Sequence, residues 1–133
     1  MTTIDVREAP AGKAIDEACA AAKGYIEWED VIGNTVHAEW PQARDFVTAK
    51  IWRPSTDIAV AWELVEEMEA NGWVTEVNNF SIGWDCQVFY HWPITPATGY
   101  VVAHTAPLAI CRAFLLAHGI TDLEVTGETL GLD

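Results

Sequence analysis

The chain has 133 residues, half of them apolar, with 20 acidic and 7 basic side chains and a formal net charge of −13. That length and apolar fraction predict one domain spanning residues 1–133 rather than a disordered chain, and no apolar run approaches the roughly 20 residues of a membrane span. The charge argues against direct electrostatic binding of DNA or RNA, which needs clustered lysine and arginine.

Residues Met1 to Lys13 carry Asp5, Arg7 and Glu8 and show no basic segment followed by an apolar one, so they do not read as a secretory signal. Cys19, Cys86 and Cys111 are odd in number, widely spaced and set among small or apolar residues. They are expected as buried free thiols in a reducing cytoplasm. The triplet Asn79-Phe80-Ser81 then carries no glycosylation meaning. The charge is uneven: residues 54–133 hold eleven acids and a single base, Arg112, for a net of −10, against −3 for residues 1–53.

The first predicted element is a helix from about Ala11 to Lys23, where Ala14, Ile15, Ala18, Cys19 and Ala22 recur at helical spacing and Gly24 supplies the stop. From Tyr25 to Arg53 the chain is punctuated by Trp28, Trp40 and Trp52, with turns at Gly33-Asn34 and Trp40-Pro41 and a short strand expected over Ala49 to Trp52. A second helix follows Pro54. Ser55, Thr56 or Asp57 can cap it, Ile58, Ala61, Trp62, Val65 and Met68 are expected on its packing face, Glu63, Glu66, Glu67 and Glu69 on another, and Gly72 ends it.

Three strands come next: Trp73 to Val77, Trp84 to Trp92 and Tyr100 to Ala103, with Pro93 to Gly99 as a loop. The second strand alternates, Trp84, Cys86, Val88, Tyr90 and Trp92 against Asp85, Gln87, Phe89 and His91, the pattern of a strand with one buried face. The order predicts an antiparallel meander. A third helix opens at the capping residue Thr105, has Pro107 in its first turn, packs through Leu108, Ile110, Cys111, Phe114 and Leu115, and stops at Gly119. Residues 120–133 read either as a final strand or as a flexible acidic tail. The fold class is therefore α/β of the α+β type, a small antiparallel meander packed by helices.

Two segments carry a resemblance. Ser55-Thr56-Asp57-Ile58-Ala59-Val60-Ala61-Trp62-Glu63, running on to Asn71-Gly72-Trp73, and Thr105-Ala106-Pro107-Leu108-Ala109-Ile110-Cys111-Arg112-Ala113, with its trailing His118-Gly119, together resemble the phage ABA sandwich domain family. The resemblance extends over roughly residues 15–119. It implies a three-layer α-β-α sandwich and a small phage or prophage protein, and it brings no catalytic residues with it.

Chemical motifs are sparse. His37-Ala38-Glu39 matches the first half of a zinc deaminase signature, but the Pro-Cys-x-x-Cys half is missing. Asp85, His91 and His104 could converge on the sheet, although nothing in their spacing forces a metal site. No metal or cofactor is expected, and an enzyme ranks last among the readings. The helix starts at Ser55, Thr56, His104 and Thr105, with Arg53 and Arg112 as anion partners, offer a place for a small nucleotide; ordinary capping is the simpler account, and the Asp57 carboxylate supports it. Trp62, Trp73 and Trp84 fit a core, whereas Trp28, Trp40, Trp52 and Trp92 lie in or beside loops, where an indole left in water marks a contact surface.

Glu63, Glu66, Glu67, Glu69 and Glu76 form either a solvated face or a surface for a basic protein. The leading expectation is a non-enzymatic phage accessory protein acting in the bacterial cytoplasm against a host protein, as a counter-defence or host-takeover inhibitor, through Glu63, Glu66, Glu67, Trp28, Trp40 and Trp92. The alternative is a sponge for a nucleotide immune signal, and homo-oligomerisation is compatible with either.

Overall fold

A computed structural model describes residues 2–24, 52–89 and 100–125 in full and the backbone of 26–29, 35–38, 90 and 95–96. In chain order the elements are β1 (Thr2–Asp5), a 3-10 turn (Val6–Glu8), α1 (Lys13–Lys23), β2 (Ile26–Glu29), β3 (Thr35–Ala38), α2 (Ile58–Ala70), β4 (Trp73–Phe80), β5 (Gly83–Tyr90), β6 (Thr95–Pro96), β7 (Val101–Ala103), α3 (Ala106–Ala117) and β8 (Asp122–Val125). Among the described residues, three helices and small antiparallel sheets make up the α+β mixture that the sequence predicts.

Local chemistry sets the helix ends. Gly24 closes α1 in the left-handed conformation at φ +81°, and its N–H reaches the carbonyls of Ala20 and Ala21. Asp57 opens α2, its carboxylate accepting from the amides of Ala59 (3.0 Å) and Val60 (3.3 Å). Thr105 opens α3 by accepting from the Leu108 amide at 3.4 Å, with Pro107 in the first turn.

β4 and β5 form a long hairpin from Trp73↔Tyr90 to Phe80↔Gly83, and β7 pairs antiparallel with the other edge of β5, from Trp84↔Ala103 to Cys86↔Val101. The expected meander is present. β4 runs past its expected end at Val77, because Asn78 stands opposite Asp85 and its side-chain amide donates to that carboxylate at 3.1 Å. The expected loop Pro93 to Gly99 contains the short strand β6, where Pro96 pairs with Phe89. Gly83 is required where β5 meets β7: a Cβ there would lie 2.6 Å from the Ala103 carbonyl oxygen. Of the two readings left open for residues 120–133, a final strand holds for Asp122–Val125, which pairs antiparallel with β1; residues 126–133 lie outside the described residues, as does the strand expected over Ala49 to Ile51.

α3 is the centre of the packing. It touches β4, β5 and β7 of the sheet, α2 beside it, and α1 and the 3-10 turn. It is buried at Leu108, Ala109, Ile110, Cys111, Ala113, Phe114, Leu115 and Leu116, as a helix enclosed on nearly every side must be. The sheet meets the helices through Cys86, Val88, Val101 and Ala103, the inward half of the alternation. All three cysteines are free and buried, as expected. Among the described residues no helix is long and apolar enough to cross a membrane.

Candidate binding cleft

α2 buries Ala61, Val65 and Met68 of its expected packing face but not Ile58 and Trp62. Val60, Ala61, Leu64, Val65 and Met68 are buried, whereas Ile58 and Trp62 are 51% and 48% exposed. At about 100° per residue, Ile58, Trp62, Glu66 and Glu69 fall within about 80° of one another, beside the buried face and adjoining it at Val65. Placing Ile58 and Trp62 in the core is thus corrected, and the deciding signal is available in the sequence: a stripe that ends in two glutamates cannot face an apolar interior.

The expected acidic face is in fact split between two flanks. Glu66 and Glu69 are exposed on the Trp62 stripe. Glu63 lies on another flank, where its Oε2 accepts from the Trp52 indole Nε1 at 2.7 Å. Glu67 lies beside it and faces Lys23 of α1 at 4.0 Å. Trp52, expected among the surface indoles, is 1% exposed and belongs to the core. Its N–H can leave water because Glu63 receives it.

Ile58 and Trp62 form one wall of an open cleft of about 550 Å³. The start of α3, from His104 to Pro107 with Ile110, forms the other wall, and Val77 and Trp84 of the sheet form the floor. Among the described residues this lining holds one titratable side chain, His104, and one hydroxyl, Thr105. The first turns of α2 and α3 therefore meet at one cleft, although Ser55, Thr56 and Asp57 do not line it.

Two of the six polar residues proposed for an anion, Ser55 and Arg112, are engaged within the chain. Ser55 is buried, its Oγ accepting from the Gly12 amide at 3.0 Å and its amide donating to the buried Asp16 carboxylate at 2.8 Å. These bonds fasten the start of α1 to the turn before α2. Arg112 donates from Nε (3.1 Å) and Nη2 (2.7 Å) to the Ala9 carbonyl and from Nη1 (2.6 Å) to the Val102 carbonyl. Half-burial lowers the guanidinium pKa from its ordinary value, opposed by the nearby Glu8 charge. Arg53 and Thr56 are exposed in the turn before α2. Ser55 and Arg112 act as structural ties, while His104 and Thr105 reach the cleft.

On the sheet, Asp85 accepts from Tyr100 Oη (2.8 Å) and from Asn78. The Tyr100 hydroxyl pKa is raised, chiefly by that hydrogen bond. Burial, with the Asp85 charge second, pushes the Cys86 thiol up to about 12, and Cys111 is raised in the same direction by burial and by Cys19. A neutral thiol is a poor nucleophile, so Cys86 packs rather than reacts. Among the described residues no group of three His, Cys, Asp or Glu side chains could hold a metal. His91, Trp40 and Trp92 lie outside the described residues, as does Glu39 of the deaminase-like triplet; of Trp28 only the backbone, in β2, is described.

A model of the phage ABA sandwich domain matches residues 24–115. The chain belongs to the phage ABA sandwich domain family. Membership marks it as a phage protein. No curated protein matches the chain. The match takes in the meander, α2 and most of α3, and leaves β1, α1 and β8 outside it. The two segments that carry the sequence resemblance are the two helix starts, so in this sandwich domain both motif segments supply cleft walls.

Proposed function

We propose that this phage protein acts by binding a protein of its bacterial host, in the host cytoplasm and without catalysis, with the Trp62 cleft as its contact surface. The observation that carries the reading is Trp62 itself: half-exposed, beside an equally exposed Ile58, over an apolar cleft of about 550 Å³. Large apolar side chains gathered at the surface favour a partner that removes them from water, and a rigid indole offers much area at low entropic cost. A cleft lined by His104 as its one described titratable group suits recognition better than bond-making chemistry. The proposed biological role is counter-defence or host takeover.

The test is capture of host proteins from lysate on the purified chain and on its Trp62→Ala variant. The expected result is a host protein held in stoichiometric amount by the parent and lost from the variant, with identical circular dichroism. Equal retention on both, or no retained host protein, sinks the reading. Parallel substitutions at Trp28, Trp40 and Trp92 measure whether those indoles share the contact.

A nucleotide sponge draws less support. The Asp57 carboxylate holds the first amides of α2, and Pro107 deprives the first turn of α3 of a donor. Arg112 is tied to Ala9 and Val102. Calorimetry against a panel of cyclic nucleotides tests it directly: a saturable heat with any member would revive the sponge.

A further inference from the structure

The α2 wall of the cleft, Ile58 and Trp62, belongs to a longer exposed stripe. The exposed stripe of α2 begins with Ile58 and Trp62 and continues to Glu66 and Glu69, about 6 and 10 Å further along the axis from Trp62. Those two carboxylates stand at the C-terminal end of the helix, where the dipole is already negative and no basic residue occupies the last turn. Elsewhere on α2 the acids are answered within the chain, Glu63 by the Trp52 indole and Glu67 by Lys23. Among the described residues nothing cationic answers Glu66 or Glu69, and residues 54–111 contain no lysine or arginine at all. An acidic pair at the wrong end of a helix dipole departs from local optimality, and such departures mark contact sites.

We propose that the occupant of this surface is a basic amphipathic polypeptide segment of the partner: one bulky apolar side chain enters the cleft beside Trp62, and a lysine or arginine following it meets Glu66 and Glu69. This rests on the host-protein reading and names the chemistry of the segment it recognises. A second copy of the chain fits less well, because it carries the same acidic surface within a protein of net charge −13 and its residues 54–111 offer no lysine or arginine to meet Glu66 and Glu69. The apolar anchor supplies affinity and the cation supplies direction and partner choice.

The experiment uses three fluorescein-labelled synthetic peptides of one length: a basic peptide with a leucine anchor, the same peptide with glutamate in place of every lysine, and the basic peptide with alanine at the anchor. Anisotropy titration of the full chain reads affinity. The expected result is saturable binding of the first and at least about tenfold weaker binding of the other two. Trp62→Ala reproduces the tenfold loss. Glu66→Lys combined with Glu69→Lys weakens binding several-fold and flattens its salt dependence, and Glu66→Gln with Glu69→Gln gives an intermediate loss in a chain without reversed charge. Equal binding of the acidic peptide, no binding of the basic one, or affinity indifferent to all these variants overturns the proposal. So does a dimer in sedimentation that Trp62→Ala dissolves, since the second copy would then be the occupant. Trp62-dependent capture of a host protein with silent peptides leaves the host-protein reading standing and removes this one; peptide binding without a captured host protein does the reverse.

Discussion

Trp52 stands in irregular chain before α2 and is 1% exposed, whereas Trp62 stands inside α2, where an amphipathic helix has an apolar face to bury, and is 48% exposed. The two indoles are chemically identical, so the difference lies in what surrounds them. Trp52 enters the core because Glu63 accepts its N–H at 2.7 Å, which removes the penalty of taking that donor from water. Trp62 shares its stripe with Glu66 and Glu69, whose carboxylates hold that side of α2 in solvent. An indole's place is thus decided less by its element than by the polar groups with which it shares a face.

The comparison breaks first at Trp52. Trp52→Ala is expected to cost about 3–5 kcal/mol, the loss typical of a large buried aromatic, read as a fall in Tm or in the denaturant midpoint. A loss no larger than that of Trp62→Ala would erase the distinction. Next is the alkaline limb of the interior to which both Trp52 and Cys86 belong. Burial pushes the Cys86 thiol from its ordinary value of 9.0, which it keeps in the unfolded chain, up to about 12 in the folded one. Its contribution is therefore complete below pH 9 and is lost as pH rises from 9 to 12, by a few kcal/mol at most. Urea unfolding at stepped pH checks this, and Cys86→Ala should show a shallower decline.

A smaller effect is expected at the hydrogen bond that admits Trp52. Glu63→Ala leaves the indole N–H unpaired at a cost of about 1–3 kcal/mol, and Glu63→Gln, which keeps an acceptor, should recover much of it. Thermal melts of the two variants separate lost packing from the lost acceptor. The smallest stability effect is expected at Trp62→Ala, within about 1 kcal/mol because half of the indole is already in water. Its large effect belongs in the capture and peptide experiments.

What the sequence made legible was local. Asp57, Thr105, Pro107 and Gly24 mark helix ends because each acts within three or four residues of itself. The alternation of β5 fixes its buried face, since a strand's side chains have a period of two. What stayed hidden depends on distant partners. Ser55 reads as a cap or ligand group until Gly12 and Asp16 are brought beside it. Arg112 reads as a free cation until the Ala9 and Val102 carbonyls surround it. β1, four residues long, is too short to show a period and becomes a strand only through β8. The stripe on α2 is the exception: its two glutamates were in view, and its position on the helix wheel already contradicted a buried Trp62.

The pairing of Thr2–Asp5 with Asp122–Val125 also bears on synthesis. A ribosome makes β1 long before its partner β8, with every other element of the fold between them. Ala9 waits almost as long for Arg112. Closing a loop of that length is entropically costly and slow relative to the β4–β5 hairpin. On a nascent chain β1 stays an unpaired edge until residues 122–125 emerge, and a product terminated before residue 122 leaves it so.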